Sequence, residues 1–228
     1  MGASLAVHHH LPHDTEQYGD SDSLAELMAA LRSSLRDDAD LVDVAGDLGD
    51  AATAEELIPI VNGMLGHLDI LVCNHAHGGD AVGLADLNAA ALDRHWAVNT
   101  RSALLLTKAF AAQHDGRQGG RVIWMTSGQM LGPMSDNLAY ATSKAALAGA
   151  TLTVADELVD KGIVLNTINP GPVNTGYLDA APPALLDSFP QHRIGQPDDP
   201  ARLIAWLVSD EGAWVVGQVL NSEGGFRR

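Results

Sequence analysis

The sequence has 228 residues, of which 46% are hydrophobic, and its formal net charge is -16. This length fits a single domain, 1–228, with a full hydrophobic core. The negative charge repels phosphate backbones and no basic stripe counters it, so we expect no nucleic-acid partner. The single cysteine, Cys73, excludes an internal disulfide framework and is expected to be a small buried hydrophobe. With no apolar run long enough to span a bilayer and no secretory signal, we expect a soluble cytoplasmic protein without a membrane partner.

Short runs rich in Val, Ile and Leu alternate with longer amphipathic segments along the chain. This pattern is typical of parallel strands that are buried on both faces and joined by crossover helices. We therefore predict a three-layer α/β/α fold on a doubly wound parallel sheet. The predicted strands cover 4–9, 41–45, 68–73, 120–126, 163–168 and 217–221.

The first predicted helix follows the first strand and has a clear apolar stripe. Its members are Leu24, Leu27, Met28, Leu31 and Leu35. Ser23 and Glu26 form a capping-box signature at the start of this helix, and Thr53 and Glu56 repeat the signature for a second one. Longer helical patterns cover 86–112 and 138–161.

Two segments, 10–23 and 175–200, have no regular periodicity. Irregular excursions in α/β domains often cover active sites. We therefore predict that 175–200 is a lid-like region. The alternative is a surface loop with no lid role.

Tyr140 and Lys144 are four residues apart in the predicted helix 138–161, so they lie one turn apart on the same face. An ammonium beside a phenol favours the phenolate, which allows the tyrosine to donate and accept protons nearer neutral pH. Ser127 follows the strand 120–126 at its carboxyl end, where open α/β sheets bind ligands. Its hydroxyl can donate to a carbonyl oxygen on which negative charge develops. The three residues together predict acid–base chemistry on a carbonyl group.

Further motifs accompany this set in a fixed order. They are Asn74 in LVCNHA, Asn99 in HWAVNTRSALLL, the turn NPGPVNTG at 169–176, and a C-terminal stretch that contains Gly224 and Gly225. With these motifs, essentially all of 1–228 resembles the short-chain dehydrogenase/reductase family, and in particular members like 3-oxoacyl-ACP reductase. The resemblance implies a Rossmann-like fold and an NAD(P)(H)-dependent oxidoreductase. Such an enzyme interconverts a carbonyl and a secondary alcohol by hydride transfer.

The resemblance also implies a catalytic tetrad of Asn99, Ser127, Tyr140 and Lys144. Tyr140 would be the general acid in carbonyl reduction and the base in alcohol oxidation. Lys144 would favour the phenolate and bind the nicotinamide ribose, and Ser127 would orient the carbonyl. Asn99 would hold a water in a proton relay to Lys144, although it could instead cap a bend in its helix.

Cofactor-binding positions follow from the same resemblance. On the nicotinamide side they are Tyr140, Lys144, Pro170, Gly171, Val173 and Thr175, and on the adenine side they are Asp47, Leu48, Asn74 and Ala76. Asp47 could instead simply end a strand, and Asn74 could be only a turn former. NADP(H) is preferred over NAD(H), because no acidic residue immediately follows the strand 4–9 to hold a ribose 2′-hydroxyl.

One motif of the family is missing from the sequence. The Gly-rich turn Thr-Gly-x-x-x-Gly-x-Gly has no match, so the resemblance implies that the first βα unit is absent. Because the amides and helix dipole of that turn bind the cofactor pyrophosphate, we expect weak cofactor binding. We also hypothesise that the strand 4–9 moves to pair with the strand 68–73, which would give a six-stranded, flavodoxin-like order.

A second hypothesis is a structural or regulatory subunit that keeps the fold but is deficient in cofactor binding and has no turnover. Metal is not expected at His8, His9, His10 and His13, because neighbouring strand residues point to opposite faces and no further ligand spacing completes a site. The family resemblance implies a small-molecule carbonyl or alcohol substrate. It also implies a homodimer or homotetramer built on the helices 86–112 and 138–161.

Overall fold

The computed structural model describes residues 2–12, 15, 24–78, 82–176, 178 and 183–228. Six strands overlap the six predicted ones. They are β1 (Leu5–His9), β2 (Leu41–Ala45), β3 (Ile70–Cys73), β4 (Gly120–Met125), β5 (Ile163–Asn169) and β6 (Val219–Asn221). Alternating α and β elements of this kind confirm the predicted α/β class.

Seven α-helices lie between and after these strands in the described part of the chain. They are α1 (Leu24–Ser34), α2 (Ala51–Leu65), α3 (Ala89–His95), α4 (Ser102–Gln113), α5 (Leu138–Val159), α6 (Pro183–Asp187) and α7 (Asp198–Leu207). The predicted helix 86–112 is thus α3 and α4 joined by a π-helical segment, Trp96–Arg101. The predicted helix 138–161 is α5.

The start of α2 differs from its prediction. Asp50, and not Thr53, is the N-cap, and its carboxylate accepts a hydrogen bond from the Thr53 backbone N–H at 3.0 Å. The Thr53 hydroxyl donates to the same carboxylate at 2.9 Å. An aspartate is a strong N-cap acceptor, so the helix begins at Ala51, ahead of the predicted signature. The other predicted signature includes Ser23, which lies outside the described residues.

The strands form two parallel sheets instead of one. β1 pairs with β2 along its whole length, and β3, β4, β5 and β6 form a four-stranded sheet in that order. Within the described residues no ladder joins β1 to β3, so the hypothesis that the strand 4–9 pairs with the strand 68–73 is wrong. The ladder to β2 and the packing of Ala6 and Val44 on the main core set the position of β1.

One face of β3 is unusually open for a strand of a parallel sheet. Ile70 and Val72 are 43% and 40% exposed, whereas every residue of β4 is buried. Parallel strands are normally covered on both sides. β3 and β1 therefore each present one row of unpaired backbone groups within the described chain.

Hydrophobic clusters cover both faces of the four-stranded sheet. On one face, Val122 and Trp124 of β4 join a large core with side chains from α2, α4 and α5. On the other face, Ile123 and Met125 pack with Leu207 of α7. Because successive strand residues point to opposite faces, helices lie on both sides and the fold is Rossmann-like with three layers. Cys73 is buried in the large core, as predicted.

No described helix combines the length and the apolar character that crossing a membrane requires. The residues predicted to form the site follow β2, β3, β4 and β5, or lie on the helices next to these strands. The carboxyl ends of parallel strands meet along one edge of such a fold, which is where ligands bind.

Candidate active site

Asn99 lies in the π-helical segment between α3 and α4 and is 1% exposed. Its Nδ2 donates to the His77 carbonyl oxygen at 3.0 Å and to the Ser143 hydroxyl at 2.9 Å, while its Oδ1 accepts from the His77 backbone N–H at 2.6 Å. Both amide hydrogens are therefore used. The side chain ties the segment after β3 to helix α5, so it does more than cap a bend. π-Helical turns of this kind are frequent at functional sites.

The first turns of α5 carry Tyr140, Ser143 and Lys144. The Ser143 hydroxyl, which accepts from Asn99, donates to the Tyr140 carbonyl oxygen at 2.7 Å. Thr100 also contacts this turn, donating from its hydroxyl to the Ser143 carbonyl oxygen at 2.8 Å. These bonds bring Asn99, Tyr140 and Lys144 together. The serine at 143 was not singled out in the sequence, although it lies between the two predicted residues.

Lys144 is 2% exposed, and its ammonium lies 5.8 Å from the centre of the Tyr140 ring. The ammonium donates to the Met125 carbonyl oxygen, at the end of β4, at 2.9 Å. Burial lowers the pKa of Lys144 to about 8, because the charged form loses its hydration. Burial also raises the pKa of the Cys73 thiol to about 12. Cys73 thus remains a neutral thiol beside the ammonium.

Ser127 follows β4 at its carboxyl end, as predicted, and stands before the short helical turn Gly128–Met130. The neighbouring Thr126 hydroxyl donates to the Lys144 carbonyl oxygen at 2.8 Å, which fixes this end of β4 against α5. The Ser127 hydroxyl itself points to the Met134 sulfur at 3.9 Å. A contact this weak is easily exchanged for a better acceptor.

The turn after β5 contains Pro170, Gly171, Val173 and Thr175. Gly171 has a φ of +67°, in the left-handed region, and its backbone N–H donates to the Asn169 side-chain oxygen at 3.0 Å. A Cβ at this position would lie 2.8 Å from the Cβ of Glu223, so only glycine fits. Val173 forms a parallel bridge to Gly195. Thr175 is exposed at the end of the turn.

The turn after β2 contains Asp47 and Leu48. Asp47 is exposed and its carboxylate accepts from the Gly49 backbone N–H at 2.7 Å, whereas the Leu48 side chain is 4% exposed and belongs to the main core. Leu48 therefore has only its backbone available for a ligand. Arg101 of the π-helical segment donates to the Gly49 carbonyl oxygen, which places this turn beside the segment that carries Asn99.

The turn after β3 contains Asn74, His75 and Ala76. Asn74 is exposed and Ala76 is partly buried. The His75 Nε2 is 2.7 Å from the Ser102 hydroxyl, which itself donates to the Val98 carbonyl oxygen, so the imidazole nitrogen is the donor of this pair. Burial and the positive charges of Lys144 and His8 lower the pKa of His75 to about 3. No pattern of residues in the sequence indicates this neutral histidine.

Two further buried rings lie next to Tyr140. His95 is fully buried, and its Nδ1 is 2.8 Å from the Ala91 carbonyl oxygen. The His77 ring lies 4.6 Å from the His95 ring, and the His95 ring meets the Tyr140 ring edge-on at 6.5 Å. The phenol thus has an aromatic wall on the side of α3.

The predicted lid-like region 175–200 contains α6 and the start of α7 among its described residues. Phe189 is 2% exposed and packs against Phe226 at 4.9 Å, which anchors the segment that follows α6. Residues 177 and 179–182 lie outside the described chain. The lid role stays a prediction.

Two of the N-terminal histidines, His8 and His9, contact polar groups of the protein. The His8 Nε2 is 2.8 Å from the Gly46 carbonyl oxygen, and the His9 Nε2 is 3.1 Å from the Asp43 carboxylate. Within the described residues no group of three or more His, Cys, Asp or Glu side chains is placed to hold a metal ion. His13 lies outside that part of the chain.

Comparison with known proteins identifies the family of the chain. The family model described as "Enoyl-(Acyl carrier protein) reductase" matches residues 17–227. An uncharacterized oxidoreductase, YjdA of Bacillus subtilis (strain 168), is 43% identical over 185 residues, or 80% of this chain and 73% of that protein. A short-chain type dehydrogenase/reductase of Picea abies is 31% identical over 231 residues, or 98% of this chain and 83% of that protein.

A solved structure shows the same fold. The short-chain dehydrogenase of Burkholderia cenocepacia J2315, crystallised in complex with NADP, superposes with a TM-score of 0.84 at 28% identity. The match covers 98% of this chain and 87% of that one. The family match over nearly the whole chain, the relatives and the fold lead to one conclusion. The chain belongs to the short-chain dehydrogenase/reductase family of oxidoreductases.

Proposed function

We propose that this protein interconverts a small-molecule carbonyl and a secondary alcohol with NADP(H) as the redox partner. The observation that supports this most is the chain of contacts from Asn99 through Ser143 to Tyr140, and from Lys144 to the end of β4 next to Ser127. These bonds connect the elements that carry Tyr140, Lys144 and Ser127, which we propose as the acid–base phenol, the buried cation and the hydroxyl donor at the ligand-binding edge of the fold.

The residues of the chain have distinct roles in the proposed reaction. The reduced nicotinamide supplies the hydride to the carbonyl carbon. Tyr140 donates its phenolic proton to the carbonyl oxygen as negative charge develops there, and the positive charge of Lys144 stabilises the phenolate that remains. Ser127 turns its hydroxyl from Met134 to the same oxygen and orients the carbonyl. In alcohol oxidation each proton moves in the opposite direction.

The described residues fit the nicotinamide half of the cofactor. The hydrogen bond to Met125 uses one of the three hydrogens of the Lys144 ammonium, which leaves donors for a ribose hydroxyl. The positive φ of Gly171 turns the backbone after β5 back on itself, and Pro170, Val173 and Thr175 line the same turn. Asp47, the Leu48 backbone, Asn74 and Ala76 would contact the adenosine half.

The pyrophosphate would meet the segment after β1. Residues 13–14 and 16–23 of that segment lie outside the described chain, so the weak binding expected from the missing Gly-rich turn stays a prediction. The preference for NADP(H) is supported by the NADP complex of the Burkholderia relative.

The side-chain contacts of Asn99 affect how this residue could take part in the proton relay. Because both amide hydrogens of Asn99 are engaged with His77 and Ser143, we propose that its backbone carbonyl, and not its side chain, holds a water in the relay to Lys144. The side chain would then act by fixing the π-helical segment against α5.

The first experiment separates cofactor binding from turnover. Calorimetric titration with NADPH and with NADH measures binding, and the loss of NADPH absorbance with diacetyl, a ketone whose reduction gives a secondary alcohol, measures turnover. We expect NADPH to bind more tightly than NADH. We expect Tyr140→Phe to lower kcat by about 10²- to 10⁴-fold and Ser127→Ala by about 10²- to 10³-fold. Ser127→Ala should not weaken NADPH binding appreciably, because Ser127 is assigned to the substrate carbonyl and not to the cofactor.

Ser135→Ala is the matched control for Ser127→Ala, because Ser135 is an exposed hydroxyl in the loop that follows. It should leave kcat unchanged. Wild-type turnover by Tyr140→Phe would contradict the proposed chemistry. No binding of either cofactor up to millimolar concentration would instead favour the alternative, a structural or regulatory subunit without turnover.

A further inference from the structure

The segment after β6 folds back over the edge where the candidate site lies. The Ser222 backbone N–H donates to the Asn169 carbonyl oxygen at 2.8 Å, at the end of β5. Farther along, the Arg227 backbone N–H donates to the Ser188 carbonyl oxygen at 2.8 Å, after α6. The residues from 222 to 228 thus run from the turn after β5 toward the predicted lid.

Two side chains of this segment form a paired unit. The Arg228 guanidinium donates to both carboxylate oxygens of Glu223, from Nη1 to Oε2 at 3.0 Å and from Nη2 to Oε1. The two side chains are only 21% and 7% exposed. Asn169 adds a third bond to this carboxylate, from its Nδ2 at 2.9 Å. A two-pronged pair of this kind fixes orientation as well as distance.

Arg228 occupies the space beside the turn that follows Ser127. A Cβ at Gly128 would overlap the Nη2 of Arg228 and lie 2.9 Å from its Cζ. A Cβ at Gly132 would lie 3.3 Å from the Arg228 Cβ and 3.4 Å from its Cγ. The two glycines therefore leave room for the arginine, whose whole side chain packs along this loop.

Glu223 makes the corresponding contact on the other side. Its Cβ fills the space where a Cβ of Gly171 would lie, and its carboxylate binds Asn169, which in turn accepts from the Gly171 backbone N–H. One ion pair thus touches the turn after β4 and the turn after β5. These turns carry, respectively, the serine proposed to orient the carbonyl and the glycine proposed to face the nicotinamide.

We propose that Arg228, held by Glu223, is a positioning residue that fixes the turn of Ser127 relative to the turn of Gly171. The contacts of Glu223 and Arg228 with the two turns are called the brace below. The effect of the brace on the reaction rests on the proposed function, whereas the brace itself is a structural property. The charge of Arg228 is compensated by Glu223, so the pair orients the two turns and does not recruit an anionic substrate. Small displacements between reacting groups lower rates strongly, so loss of the brace acts mainly on kcat.

The experiment compares two ways of removing the same contact in the full chain. Arg228→Ala deletes the guanidinium, and Gly128→Ala leaves it in the chain but places a methyl group where it packs. We expect each to lower kcat with NADPH and diacetyl by about 10- to 100-fold, with a smaller change in KM. The double variant should be no slower than either single variant, because both remove one interaction.

Two substitutions refine the result and one serves as the control. Arg228→Lys should be intermediate, because lysine keeps the charge but not the two-pronged geometry, and Glu223→Gln should resemble Arg228→Ala while preserving shape. Arg202→Ala is the matched control. Arg202 forms an exposed pair with Asp198 on α7, and its loss should leave kcat unchanged.

Hydrogen exchange provides a readout that does not depend on turnover. In Arg228→Ala and Gly128→Ala, backbone amides of 128–132 and 169–171 should exchange faster, whereas those of β4 should not change. Unchanged exchange and kcat in both variants would overturn the proposal, as would effects that multiply in the double variant or a loss of protection spread over the whole fold. If the wild-type protein neither binds NADPH nor turns over, the proposed function fails, and the exchange measurement still decides whether the brace exists.

Discussion

The ammonium of Lys144, which is 2% exposed, lies 5.8 Å from the centre of the Tyr140 ring. Burial lowers the pKa of Lys144 from 10.5 to about 8, so the charged form is destabilised in the folded protein. The unfolded chain therefore binds more protons than the folded one between these values, and the cost of the charge disappears as the pH rises through them. A buried charged residue that lowers the stability of the fold in this way is a candidate for a functional role.

We expect Lys144→Met to stabilise the fold while abolishing the proposed turnover. The unfolding free energy at neutral pH should rise by up to about 3 kcal/mol, because the buried charge is replaced by an apolar side chain of similar length. This gain should shrink between about pH 8 and pH 10.5. Urea denaturation at several pH values measures it.

Lys161→Met is the control for this prediction, since Lys161 is exposed beyond the end of α5. It should change neither stability nor its pH dependence appreciably. Destabilisation by Lys144→Met at neutral pH would show that the bond to Met125 outweighs the cost of burying the charge.

His75 is expected to make the fold sensitive to acid. The pKa of His75 is lowered from 6.5 to about 3. Between these pH values the His75 imidazole is protonated in the unfolded chain but stays neutral in the folded protein. Stability is therefore lost as the pH falls from 6.5 toward 3. His75→Gln should unfold at lower pH, with a relative gain of about 2 to 3 kcal/mol near roughly pH 4. Acid titration followed by circular dichroism measures it, and an unchanged acid midpoint would contradict the assignment.

The buried indole of Trp124 depends on Thr107. Its Nε1–H donates to the Thr107 hydroxyl at 3.0 Å, and both residues lie in the main core region, 0% and 3% exposed. We expect Thr107→Val to cost about 1 to 3 kcal/mol, because it leaves the indole N–H without its acceptor. The cost should be smaller in a Trp124→Phe background, where that donor is gone. Thr153→Val, at an exposed position on α5, is the control in thermal and urea unfolding.

We propose that the exposed apolar face of α3 and α5 supports a homodimer or homotetramer. Leu152 is 69% exposed, and Trp96 and Leu92 are 48% and 37% exposed on the helical region that packs beside α5. Burial of such side chains between copies would be favourable. Leu152→Arg should shift the mass measured by light scattering toward the monomer, whereas Thr153→Val should not. A wild-type protein that is monomeric at every concentration would contradict the proposal.

The sequence predicted the elements of this fold because local patterns determine them. The six strands were all found from apolar runs, and Tyr140, Lys144 and Ser127 were placed on the correct helix and strand end by spacing alone. The N-cap of α2 was placed too late, since two candidate caps, Asp50 and Thr53, stand close together and only the folded backbone selects between them. The break between α3 and α4 also has no local signal.

Pairing and burial were decided by the tertiary structure. The residues of β1 do not determine which strand pairs with it, because an apolar strand can form the same backbone ladder with several neighbours. The expected ladder to β3 is not formed. The same holds for His75, whose low pKa arises from groups distant in sequence, and for Arg228, which reaches Gly128 only because β6 returns beside β5. Residue types, their spacing and the accompanying motifs thus predict the chemistry of the site from the sequence. The burial of the site residues, their pKa values and the brace formed by Glu223 and Arg228 depend on contacts between distant segments, which exist only once the chain has folded.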